Sequence, residues 1–198
     1  MQQTPWVAIE VTRQMRLVGG AVADAGALSA GGRNLLEHQV AIARQVTAPD
    51  RILVLTAQSD ETLLHLIGKH ELREVSPFDF ITLMRQRSAE DVPVVLLRQY
   101  VPLRDAADLH KALALLPQHP TIVSASQPPA GHLRHQPLPG QTEPDYRCLA
   151  FEVRRASQFS AAPGQEEHLL FVPWDSFAEY LRPQDEADVA ARMKAWGG

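Results

Sequence analysis

Residues 92–126 read VPVVLLRQYVPLRDAADLHKALALLPQHPTIVSAS, and this stretch decides the fold class. Val92–Leu97 is a near-continuous apolar run, which predicts a strand buried on both faces. A turn containing Pro102 and Arg104 follows, then an amphipathic helix over Asp105–Leu116, then a second apolar strand over Thr121–Ser126. Strand, crossover helix and strand make a βαβ unit, the building block of a parallel sheet. Open α/β sheets bind ligands beyond the carboxyl ends of their strands. Arg98 and Gln99 therefore stand where a ligand is expected.

The rest of the chain repeats this alternation. WVAIEV (Trp6–Val11) reads as a first strand, followed by a long Gly- and Ala-rich loop, residues 12–34. A helix is expected from Leu35 to Val46 with Asn34 as N-cap. RILVLTA (Arg51–Ala57) is a second strand, and Ser59 and Asp60 are placed to cap a helix reaching Lys69, with Glu61 in its first turn. Pro77–Arg87 reads as another helix. Gln127–Pro144 is crowded with Pro, Gly and His and predicts an exposed, mobile loop. YRCLAFEVRR (Tyr146–Arg155) and HLLFVPW (His168–Trp174) read as later strands, the first a candidate for running antiparallel to the others. Pro183, Asp185, Glu186 and Asp188 open a C-terminal helix ending near Trp196. No internal repeat is visible, and residues 1–198 read as a single α/β domain, a mostly parallel sheet with helices on both faces.

Composition narrows the classes. At 198 residues, 45% hydrophobic and 21% charged, the chain can bury a substantial core. A net charge of −4 gives no basis for a nucleic-acid or membrane-surface partner. The one cysteine, Cys148, lies in an apolar strand and reads as inert core. Lone-cysteine usage, with no basic region or long apolar stretch at the N-terminus, makes the cytoplasm the expected compartment. No Ser-His-Asp order or nucleophile elbow supports a hydrolase. His132 and His135 match no complete metal-ligand set.

Several stretches, in order, resemble one family. Residues 94–116, VVLLRQYVPLRDAADLHKALALL, are similar to a segment reading roughly VVLLQPTSPLRTAEDIDAALELL in the CMP-sugar synthetases, the acylneuraminate cytidylyltransferases. GGRNLLEHQVAIARQV (residues 31–46) resembles their GKPLIEHTIEAA helix, and DRILVLTAQSDE (residues 50–61) resembles their second strand, DRIVVSTDSEE. TIVSASQPP (residues 121–129) and YLRPQDEADVAARM (residues 180–193) resemble the strand after the central helix and the final helix. The resemblance implies a Rossmann-like nucleotidyltransferase fold, CTP or another nucleotide bound over the first strand, and Mg²⁺. It also implies a sugar or sugar-acid acceptor and a homodimer.

Carried over residue by residue, the resemblance gives a candidate site. The family's phosphate loop, roughly PARGGSKRIPGKN, corresponds to the region of Arg13, Arg16, Gly19 and Gly20. Its lysine has no counterpart, because no lysine precedes Lys69. The family's metal-binding Asp-x-Asp falls on Glu179-Tyr180-Leu181, leaving Glu179 as the one carboxylate. The glutamine after the third strand becomes Arg98, or Gln99 if the register slips by one. Ser124 ends a strand where a hydroxyl could bond a sugar, although serines there are common turn formers. Two functions compete on these residues: transfer of CMP from CTP to a sugar or sugar acid with release of pyrophosphate, and a catalytically inactive homologue acting as a nucleotide-binding or protein-interaction subunit.

Overall fold

The computed structural model describes residues 3–11, 14–16, 22–24, 29–30, 33–57, 61–127, 146–160, 167–178 and 185–196. The expected apolar runs form strands β1 (Trp6–Glu10), β6 (Ile52–Leu55), β8 (Pro93–Arg98) and β9 (Thr121–Ala125). Between β1 and β6 lie β2 (Gln14–Arg16) paired with β3 (Val22–Asp24), and β4 (Ser29–Ala30) paired with β5 (Arg33–Asn34). The segment expected as a plain loop thus carries two short antiparallel hairpins. The remaining strands are β7 (Arg73–Val75), β10 (Arg147–Arg155) and β11 (His168–Phe171).

Seven strands form one sheet in the order β11-β9-β10-β8-β1-β6-β7. All run in one direction except β10, which pairs antiparallel with both β8 and β9. This confirms the antiparallel reading of residues 147–155 and corrects the expectation that β8 and β9 are neighbours: the βαβ unit is split, with β10 inserted. The apolar pattern of a parallel crossover is the same whether or not a strand fills the gap, so the pattern alone could not show the insertion.

Helices α1 (Leu35–Ala43), α2 (Glu61–Lys69) and α4 (Ala107–Leu115) cover one face. They pack Leu36, Val40, Leu63, Ile67, Leu109 and Ala112 against Val7, Ile9, Val54, Val95 and Leu97. The other face is covered by α3 (Pro77–Gln86), whose Phe80 and Met84 meet Ala8, Leu53, Leu55 and Val94. Helix α5 (Asp185–Trp196) closes the chain, with Val189 and Met193 buried and the Trp196 ring 6.0 Å from His38. Among the described residues, no helix is long and apolar enough to cross a membrane.

Capping fixes the helix starts that matter for the site. Asn34 forms a full capping box: its Oδ1 accepts from Glu37 N–H at 2.8 Å, and its own N–H donates to Glu37 Oε2 at 3.1 Å. Glu37 Oε1 also receives Lys69 Nζ at 2.7 Å, which ties the start of α1 to the end of α2. At α3, Ser76 Oγ accepts from Asp79 N–H at 3.1 Å and Pro77 takes the first turn, where its missing N–H costs nothing.

Candidate functional site at the strand switch point

The chain order explains where a crevice opens. From β1 the sheet grows outward to β6 and β7, and the chain then returns to place β8 on the other side of β1. Strand order therefore reverses between β1 and β8, and ligands bind at such switch points, outside the carboxyl ends. Glu10 and Arg98, the last residues of β1 and β8, are register partners here. Gln99 N–H donates to Glu10 O at 3.0 Å and closes the ladder on one side; Val11 N–H donates to Leu55 O at 2.8 Å on the other. The expected phosphate loop, residues 12–32, follows this point in the chain.

Across the crevice, Arg98 Nη1 donates to Glu10 Oε2 at 2.7 Å, with side chains 30% and 45% exposed respectively. The pair lines a cavity of about 240 Å³ with Pro77, Phe80, Leu96 and Phe151. Deeper on the same face, Glu152 and Arg154 form a second ion pair, and the Arg154 guanidinium lies 4.9 Å from the Phe159 ring centre. Burial lowers the Arg154 pKa from the usual guanidinium value, opposed by the charge of Glu167. Cation, ring and carboxylate all line the cavity.

The turn that carries Arg98 is held from two sides. From α1, Gln39 Nε2 donates to Arg98 O at 2.8 Å and to Val101 O at 3.1 Å. His38 Nε2 donates to Leu103 O at 2.5 Å, which sets the ring's tautomer. From the segment before α5, Arg104 N–H donates to Ser176 O at 2.8 Å, and Ala178 N–H donates to Pro102 O at 3.0 Å. A turn fixed on both flanks holds the Arg98 backbone rigid, so the side chain has a defined base from which to work. Gln39 was not singled out in the sequence. Its signal was there: a polar residue on the apolar stripe of Leu36, Val40 and Ala43, which in a helix asks for buried carbonyls to bond.

The expected site residues divide. Arg98 faces the crevice. Gln99 is 2% exposed on the opposite face of the sheet, and its Oε1 has no hydrogen-bond partner among the described residues. Ser124 is fully buried: its Oγ donates to Phe151 O at 2.9 Å and accepts from Phe151 N–H at 3.0 Å. It bridges the register shift where β10 leaves β9, so its hydroxyl both donates and accepts within the bulge. Ser126 likewise donates to Val172 O at 2.9 Å. Arg104 has a structural role, pairing with Asp105 at 3.3 Å and Asp175 at 3.4 Å. Cys148 is buried core. Arg16 belongs to β2 by its backbone, its side chain lying outside the described residues; Arg13, Gly19, Gly20, Glu179 and nearly all of the Gln127–Pro144 loop also lie outside them.

Among the described residues no group of three His, Cys, Asp or Glu side chains gathers to hold a metal. The described carboxylates that line the crevice, Glu10 and Glu152, are paired with Arg98 and Arg154. These donors do not by themselves fit a protein-built Mg²⁺ site, which wants one or two carboxylates free for the ion. A larger groove, about 780 Å³, lies at the opposite, amino-terminal edge of the sheet, lined by Pro5, Asp91, Pro93, His110 and Arg155. Size favours that groove; position relative to the strand ends favours the crevice, and position is the better guide in this class of sheet.

No family model matches the chain, and no curated protein matches its sequence. Solved structures do. The 4-diphosphocytidyl-2C-methyl-D-erythritol synthase from Anaerococcus prevotii DSM 20548 is similar with a TM-score of 0.63 at 10% identity, over 97% of this chain and 96% of that one. The inositol-1-phosphate CTP transferase from T. maritima gives 0.65 at 10% identity, over 99% and 98%. A nucleoside-diphosphate-sugar pyrophosphorylase from Vibrio cholerae RC9 gives 0.56 at 12% identity, over 93% and 99%. The chain has the Rossmann-like fold of the nucleotidyltransferases, across nearly its whole length. The likeness is to that wider group of structures rather than to the CMP-sugar synthetases in particular.

Proposed function

We propose that this chain is a nucleotidyltransferase that moves a CMP group from CTP to a hydroxyl of a sugar or sugar acid. The acceptor oxygen bonds to the α-phosphorus as the bond to the β-phosphate oxygen breaks. Pyrophosphate leaves, and the hydroxyl proton passes to solvent. The observation that carries the reading is the switch-point crevice between β1 and β8, from which the candidate phosphate loop departs. The shared fold supports it, and two of the structural neighbours named above have cytidine or CTP chemistry in their names. Fold alone does not fix a function, so the reading stands on the crevice.

In this reading Arg13 and Arg16 are proposed to neutralise the triphosphate, with the Gly19-Gly20 backbone approaching it closely. Glu179, just before α5, is proposed to contact the metal that accompanies a triphosphate. Such a reaction needs positioning and charge neutralisation more than covalent help. A second reading, a catalytically inactive homologue acting as a nucleotide-binding or protein-interaction subunit, draws on what the sequence lacks: no lysine precedes Lys69, and Glu179 is the one carboxylate at the expected metal position.

Calorimetry with CTP and Mg²⁺, followed by a pyrophosphate-release assay over a panel of sugar acids and sugar phosphates, tests both. Binding with release supports the transferase. Binding without release across the panel favours the inactive homologue. No nucleotide binding at millimolar concentration would sink the transferase and leave the protein-interaction form of the second reading.

A further inference from the structure

Glu10 bears on which nucleoside the crevice selects. Its contact with Arg98 uses one carboxylate oxygen and one guanidinium nitrogen, Oε2 and Nη1. Among the described residues, Glu10 Oε1 and Arg98 Nε and Nη2 make no other hydrogen bond. The pair therefore offers an acceptor and two donors in a cavity that it lines with Pro77, Phe80, Leu96 and Phe151, the Glu152–Arg154 pair also lining it. An apolar slot with a few convergent polar groups suits a flat ring read along one edge.

The charges narrow the ligand further. An arginine awaiting a phosphate or carboxylate would keep its charge available, but here Glu10 offsets it at 2.7 Å. The pair as a unit is close to neutral and suits an uncharged group with donors and acceptors in a set order. Cytosine has that order: an amine, then a ring nitrogen, then a carbonyl. The carboxylate accepts from the amine, and the guanidinium fork donates to the two acceptors. Uracil places a carbonyl where cytosine has its amine, so two acceptors would face each other. Guanine offers the reverse order on a two-ring base. The slot, at about 240 Å³, lies below the roughly 300 Å³ at which typical ligand pockets begin and favours a single ring. An exposed ion pair of this kind contributes little to stability and opens easily to admit a ligand edge.

We propose that Glu10 and Arg98 together form the nucleobase selector of the crevice, choosing cytosine over uracil, guanine and adenine. The proposal rests on the nucleotidyltransferase reading. It gives Glu10, a charge at a strand end, a positive role in the site.

The test is calorimetric titration of CTP, UTP, GTP and ATP, with Mg²⁺, into the wild-type chain, Glu10→Gln and Arg98→Met. Wild type should bind CTP about tenfold or more tighter than the other three, the size expected of one bidentate base contact. Glu10→Gln is isosteric, and its amide can turn to donate to the uracil carbonyl while the uracil N3–H still opposes the guanidinium, so the preference for CTP over UTP should shrink by about threefold or more without vanishing. Arg98→Met should weaken CTP about tenfold or more. Equal binding of all four bases by wild type, preference for another base, or an unchanged CTP-to-UTP ratio in Glu10→Gln overturns the selector while leaving nucleotide binding intact. Failure of wild type to bind any nucleotide overturns the underlying reading and the selector with it. Melting curves without nucleotide report whether each variant folds, and the wild-type panel decides the question if one does not.

Discussion

On the face covered by α1, α2 and α4, Val7, Ile9, Val54, Val95 and Leu97 are all fully buried. On the face covered by α3, Leu96 is only partly buried, and Glu10, Arg98, Glu152 and Arg154 line a cavity beside it. The two faces come from the same strands, and along β8 they alternate residue by residue: Val95 and Leu97 inward, Leu96 and Arg98 toward the cavity. Three helices close one face, and one helix leaves the other partly open. The closed face supplies cohesion; the open face leaves a cavity, the proposed place for a ligand. Residues on the first should thus govern stability, and those on the second should govern binding with little effect on stability.

Substitutions can break that division. Leu97→Ala should cost about 2–5 kcal/mol in urea unfolding, because it leaves a cavity in the closed face. A loss under about 1 kcal/mol would mean that face is not tightly packed. Gln39→Leu should cost about 1–3 kcal/mol, since it leaves the buried Val101 carbonyl without this donor and the Arg98 carbonyl with the Val101 N–H alone. It should also weaken nucleotide binding by loosening the Arg98 turn, and an effect on stability alone would separate the turn from the site.

A pH titration sharpens the picture of the closed side. The Lys69 hydrogen bond, with help from Asn34 N–H and His70, lowers the Glu37 pKa from 4.5 to about 2 against the opposing effect of burial. The folded-state pKa lies below the unfolded one, so the contribution is present above pH 4.5 and is lost as pH falls from 4.5 through about 2. Because Lys69 is 54% exposed, solvent screening holds the contribution to about 1–2 kcal/mol. Glu37→Gln should lower stability by that amount at neutral pH and flatten the acid limb of the stability curve. A limb of unchanged slope would assign acid sensitivity to other carboxylates. The smallest expected effect is that of Leu96→Ala on the open face, under about 1 kcal/mol by urea unfolding. A loss as large as that of Leu97→Ala would show that the two faces are equally closed.

Much of this was legible in the sequence, for reasons that differ by element. Residues 52–55, 94–97 and 121–125 are apolar runs too short and too β-branched for helices, and they are strands. Asn34 and Glu37 spell a capping box three residues apart, and the helix starts where they say. Strand β7 escaped notice because Arg73–Val75 buries only Val75. The hairpins after β1 escaped because Gly and Ala mask strand patterning. At the site, Arg98 was legible because the strand before it fixed its place at the carboxyl end. Glu10 was passed over because a lone charge closing a strand reads as solvated. Its meaning depends on Arg98, its register partner 88 residues away, and no local pattern carries a pairing at that distance. Ser124 was read toward a ligand because the bulge that takes up its hydroxyl exists only once β10 is inserted.

Amide hydrogen exchange with and without saturating CTP and Mg²⁺ tests the central claim most directly, because it reads both ends of the sheet at once. The account predicts slowed exchange at residues 10–11 and 98–101, beside the switch-point crevice, with no change at residues 90–93 and 110–117 around the larger groove. Slowing confined to that amino-terminal groove, or no change anywhere with CTP at millimolar concentration, would contradict it.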